Sequence, residues 1–70
     1  MASIHIGKKI EQVFRKTDMT VTDFAELIGR NRQVAYDFFK RKDINTNMLY
    51  KISLILKHDF FKYYCDRLKL

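Results

Sequence analysis

The chain is predicted to be all-α, a compact bundle of five short helices forming one domain over residues 1–70. Three observations carry that reading. Seventy residues contain no proline and only two glycines, so little interrupts a helix. Apolar side chains return every three or four residues in five separate runs. Residues suited to capping a helix stand before four of those runs. A domain this small buries a modest core, so local propensity and packing have to agree.

In the first run Ile6, Ile10, Val13 and Phe14 share a face, with Lys8, Lys9, Glu11, Gln12 and Arg15 outside, and the segment KTDMT ends it. Thr20 is the N-cap expected for the second helix. Asp23, three residues on, makes a carboxylate version of the capping box, and Met19 is placed to staple against Phe24. Phe24, Ala25 and Ile28 then face inward, with Leu27 at the edge. Gly29 falls where a helix end favours positive φ. Asn31 is expected to cap a third helix over roughly residues 32–40. Two helices with so short a joint, and glycine in it, meet steeply as a helix-turn-helix unit. After RKDIN comes a fourth helix, capped at Asn45 or Thr46, with Met48, Leu49, Ile52, Ile55 and Leu56 inward. His58 and Asp59 break the pattern. Asp59 is expected to cap a fifth helix that holds Phe60, Phe61, Tyr64 and Leu68.

The net charge of +6 is large for the length and favours a polyanionic partner. One cysteine, Cys65, excludes an intramolecular disulfide and suits a reducing bacterial cytoplasm; within FFKYYCDRL it is expected to be buried. MASIHIGKKI has no long apolar segment of the export type, and no stretch approaches membrane-spanning length. His5 and His58 lie in different neighbourhoods, are expected at the surface, and have no partner at metal-ligand spacing. No nucleophile–base pair or glycine-rich phosphate loop occurs, and Asp37 and Asp43 have no reason to form a dyad. An enzyme is therefore the least favoured class. No catalytic residue, metal, cofactor, small-molecule ligand or membrane contact is expected.

The stretch GRNRQVAYDFFKRK is the most informative. At about 100° per residue, Ala35, Phe38 and Phe39 gather on one side, and Gln33, Tyr36, Asp37 and Lys40 on the other, flanked by Arg32. Arginine can donate twice to guanine and glutamine can pair twice with adenine. Tyr36 can pack on a thymine methyl or donate to phosphate. Lys40, Arg41 and Lys42 are placed to grip the backbone. Asp37 belongs there only if it accepts from cytosine or holds Arg32 or another cation in position. The alternative is a solvated amphipathic face with no ligand.

From TVTDFAELIGRNRQVAYDFFKRK through MLYKISLIL the chain resembles the λ-repressor-like, Xre-type helix-turn-helix family, without a gap from Met19 to Lys42. Ala25 stands at the family's small position, Gly29 in its turn, and Phe24 and Ile28 at the flanking apolar positions. The ending LKHDFFKYYCDRL is similar to small Xre-type proteins of Bacteroidetes bacteria. Arg30 replaces a usual aliphatic residue and Ala35 a usual Ile or Val, with Phe38 and Phe39 able to refill that volume. The resemblance implies a transcriptional repressor or regulator of double-stranded DNA. Its contacts would come from Asn31, Arg32, Gln33, Tyr36 and Asp37, with phosphate bound by Thr20 and the Val21 backbone. One such unit covers too little DNA for tight specific binding, so a homodimer is expected. Phe60, Phe61, Tyr63, Tyr64 and Leu68 offer a seam for it, core packing being the other use for about half of them. The rival function is a protein-interaction module, such as an antitoxin or adaptor, whose interface is that aromatic C-terminus.

Overall fold

In the computed structural model, which describes residues 4–68, five helices follow one another with no strand among the described residues. They are α1 (Ile6–Phe14), α2 (Val21–Ile28), α3 (Arg32–Lys40), α4 (Thr46–Leu56) and α5 (Lys62–Leu68). The starts are set by side chains that accept from first-turn N–H groups left without a helical partner. Thr20 accepts from the Asp23 N–H at 3.1 Å and Asn31 from Val34 at 3.0 Å. Asn45, rather than Thr46, caps α4 by accepting from Met48 at 2.8 Å. An unexpected cap is His5, whose Nδ1 accepts from the Lys8 N–H at 3.2 Å.

α2 stops at Gly29, which has φ +74°. There the Gly29 and Arg30 N–H groups fold back onto the carbonyls of Glu26 and Ala25, at 3.1 and 2.9 Å. α4 ends in a similar turn, with the His58 N–H reaching Ser53 at 3.0 Å, but its left-handed residue is Lys57 at φ +53°.

The core joins Ile6, Ile10 and Phe14 of α1 to Phe24, Ala25 and Ile28 of α2 and to Ala35, Phe38 and Phe39 of α3. Leu49, Ile52 and Leu56 of α4, with Phe60, complete it. Both α1 and α2 pack on α3, and α2 also packs on α4. One aromatic cluster ties the first three helices together. The Phe14 ring lies 5.3 Å from those of Phe24 and Phe39, which are 6.0 Å from each other.

A polar junction sits beside that cluster. The first-turn N–H groups of α1 meet carbonyls just past the end of α3: Gly7 donates to Arg41 at 2.9 Å and Ile6 to Lys42 at 3.2 Å. Donors orphaned at one helix end thus satisfy acceptors orphaned at another. The approach is so close that a Cβ at Gly7 would run into the carbonyl oxygens of Phe38, Phe39 and Arg41.

Three expectations for the C-terminal segment are corrected. Asp59 does not cap a helix; its Oδ1 accepts from the Phe61 N–H at 3.0 Å in a turn, and α5 begins only at Lys62. Phe60 sits in that turn with 0% exposure, leaving no surface for a second chain. Cys65 is exposed, not buried. α5 turns Tyr63 and Tyr64 toward the bundle, so Cys65, a further 100° or so around, faces away.

Candidate nucleic-acid interface

α3 is held from one side and open on the other. Ala35 is fully buried, and its small side chain permits close approach by the neighbouring helices. Phe38 and Phe39 are also buried, whereas Arg32, Gln33, Tyr36, Asp37 and Lys40 are all exposed. Tyr36 keeps 52% of its surface, and its ring stands edge-on to Phe39 at 6.3 Å, which restrains where the hydroxyl projects. Gln33, Tyr36, Asp37 and Lys40 line one shallow depression of about 240 Å³ with Val34.

The remaining expected contacts are exposed as well: Thr20, Asn31, Arg41 and Lys42. Two of them already serve as caps, and their chemistry leaves a donor free. Thr20 accepts through its oxygen and keeps its O–H; Asn31 accepts through Oδ1 and keeps its amide N–H groups. Lys42 has its carbonyl engaged by Ile6 while its side chain is exposed.

Asp37 finds its cation not in Arg32 but one turn further along the chain. Arg41 Nε donates to Asp37 Oδ2 at 2.8 Å, four residues along, and the guanidinium lies 5.6 Å from the Phe38 ring. Both partners of the pair are about half exposed, so its contribution to stability is a few tenths of a kcal/mol. Its larger effect is local. The carboxylate is neutralised where it would repel phosphate, and the arginine is held beside the helix rather than left to sample solvent.

The C-terminal aromatics divide differently from expectation. Phe61, Tyr63 and Tyr64 are half-buried, and only Leu68, at 64% exposure, stands clear of the bundle. The Tyr63 hydroxyl lies 2.9 Å from His58 Nε2, and the ammonium groups of Lys9 and Lys62 sit 5.0 and 5.6 Å from its ring. His58 is therefore not a free surface residue. Burial, aided by Lys62 and Lys16 and opposed by Asp59, lowers its pKa. Burial, with Asp43 nearby, raises that of the Tyr64 phenol. Among the described residues no three His, Cys, Asp or Glu side chains come together to hold a metal.

Two features escaped the sequence. His5 and Lys8 line a groove of about 420 Å³ with Glu11, Tyr36, Phe39 and Lys40, which brings α1 alongside the open face of α3. Tyr50 and Leu54, 59% and 60% exposed, form an apolar pair on the outside of α4. Their four-residue spacing in MLYKISLIL, off the Leu49–Ile52–Leu56 face, was the available signal. No family model, curated protein or solved structure matches the chain. The functional reading therefore rests on this geometry and on the residues themselves.

Proposed function

We propose that the chain binds double-stranded DNA sequence-specifically, with α2 and α3 acting as a helix-turn-helix and α3 lying in the major groove. The observation that carries this reading is the division of α3: Ala35, Phe38 and Phe39 fasten it while Arg32, Gln33, Tyr36 and Lys40 remain exposed together. Had Gln33 and Tyr36 been enclosed, the reading would have failed. Forked donors read base edges, and the cations and capped helix starts bind phosphate. The net charge of +6 supplies attraction to the duplex. The residue-level resemblance to the λ-repressor-like, Xre-type family, which no family model matches, extends the proposal to a transcriptional regulator. A single unit buries too little DNA for nanomolar specificity, so the acting form is a homodimer on two half-sites. Phe61, Tyr63, Tyr64 and Leu68 remain as seam candidates once Phe60 is removed.

A second reading, a protein-interaction module, is favoured by one observation: the exposed apolar side chains Tyr50, Leu54 and Leu68. Selection from a random duplex library at about 150 mM salt separates the two. Recovery of a palindromic motif with half-sites about one helical turn apart supports the dimeric DNA-binding reading. Recovery of no motif, with retention that ignores salt, removes it.

A further inference from the structure

The groove between α1 and α3 lies outside the face from which bases would be read, yet it shares residues with that face. Tyr36 and Lys40 line both it and the depression over Gln33. From the other side it receives Lys8, which is exposed, and His5, which is half-buried. The one carboxylate in its lining, Glu11, accepts from Arg15 at 3.1 Å and is thereby partly neutralised. His5 adds a donor of defined identity. Its Nδ1 accepts from the Lys8 N–H at 3.2 Å, so the proton of the neutral ring resides on Nε2. One wall of the groove thus carries Lys8 and His5, the other Lys40 and Tyr36.

We propose that this groove binds a phosphodiester of the same duplex that α3 reads, with Lys8 as the charged contact and His5 Nε2–H as a neutral donor. The inference rests on the proposed DNA-binding function and extends its footprint from α3 onto α1. Continuity decides the occupant. A phosphate strand passing the C-terminal half of α3 at Lys40 reaches Lys8 without leaving the lining, whereas a second copy of a chain with charge +6 would bring like charges together.

The test measures the affinity of the intact protein for a random-sequence duplex across a series of salt concentrations. Lys16→Gln, at the other end of α1, serves as a control that removes the same charge. Lys8→Gln is expected to lower the slope of log affinity against log salt by about 0.9, one phosphate contact, while Lys16→Gln changes it little. His5→Ser keeps a capping oxygen and is expected to weaken binding several-fold with the slope unchanged, since a neutral donor releases no counterion. If Lys8→Gln and Lys16→Gln shift the slope equally, only the diffuse field acts and the groove contact is refuted while DNA binding stands. A wild-type protein with no duplex affinity refutes both.

Discussion

Gly7→Ala isolates the junction on which the position of α3 depends. In an unobstructed helix the substitution stabilises, because alanine is the better helix former by about 0.8–1 kcal/mol. Here a Cβ would stand within 2.6 Å of the carbonyl oxygens of Phe38, Phe39 and Arg41. Carbon–oxygen contacts settle at about 3.3 Å or more, so α1 has to withdraw by about 0.7–0.9 Å. The bonds from Gly7 to Arg41 and from Ile6 to Lys42, now 2.9 and 3.2 Å, then pass out of useful range. Each leaves a poorly solvated amide unpaired, at about 1–3 kcal/mol. Two such losses less the propensity gain leave a net destabilisation of about 1–5 kcal/mol.

The upper part of that range is a large share of the stability of a domain this size, and at about 4–8 °C per kcal/mol it corresponds to a fall in Tm of about 4–40 °C. Thermal unfolding followed by far-UV circular dichroism measures it directly. Gly29→Ala provides the contrast. That glycine is required for its φ of +74° rather than for space, its nearest obstacle being the Lys51 ammonium at 3.7 Å. The cost there is about 1 kcal/mol. A Tm for Gly7→Ala equal to or above that of the wild type would show that α1 and α3 are not in this contact.

Arg32→Ala and Gln33→Ala are each expected to weaken binding to the selected site by about 1–3 kcal/mol and to relax preference at one base pair. Lys42→Ala should weaken cognate and random duplex alike, and identical behaviour of Arg32→Ala and Lys42→Ala on both would remove base reading by α3. Lys57→Gly is expected to raise stability by about 1 kcal/mol, seen as a higher denaturant midpoint, since a lysine now occupies a left-handed turn at φ +53°. His58 gives a pH dependence whose sign follows from its lowered pKa. The unfolded ring takes up its proton near pH 6.5 and the folded one only at lower pH, so stability is full above about 6.5 and falls as the solution is acidified below it. Tm measured between about pH 7.5 and 5 should show that fall, and His58→Gln should flatten it.

The parts of the fold that depend on neighbours in sequence were legible. Thr20, Asn31 and Asn45 cap because a short oxygen-bearing side chain before an apolar run has few better uses, and Gly29 takes the left-handed turn for lack of a Cβ. The inward faces of the first four helices followed from periodicity, with Val13, Met48 and Ile55 falling at the half-buried margin. What stayed hidden was the long-range polar pairing. Gly7 reads locally as a weak helix residue, and its purpose appears only when the end of α3 arrives beside it. Lys51 reads as a solvated cation, yet its ammonium donates to the Ile28 carbonyl at 3.3 Å and closes the end of α2. Asp37 could have served Arg32 or another cation, and the four-residue offset to Arg41 won because it places both side chains on one side of the helix. At the C-terminus the apolar run exceeds what one short helix can bury, so composition alone left Phe60 open between core and seam and assigned Cys65 to the wrong surroundings.

These polar junctions bear on the proposed function because burial alone does not orient a helix. Apolar contact is non-directional. A roll of α3 by about 20° about its axis would preserve most of its buried area while carrying side-chain tips, about 5–6 Å out, through about 2 Å. Bidentate recognition of a base tolerates an error of about 0.5 Å. The two ends of α3 supply the missing constraint. Before it, the Gly29 turn and the Asn31 cap determine how the chain enters the first turn. Beyond it, the carbonyls of Arg41 and Lys42 are taken by the N–H groups of Gly7 and Ile6. Between them the Phe39 ring is gripped by Phe14 and Phe24 from two other helices. Substitutions at Gly7 or Asn31 should therefore degrade discrimination between cognate and random duplex before they abolish binding, since phosphate attraction survives a small rotation and base pairing does not.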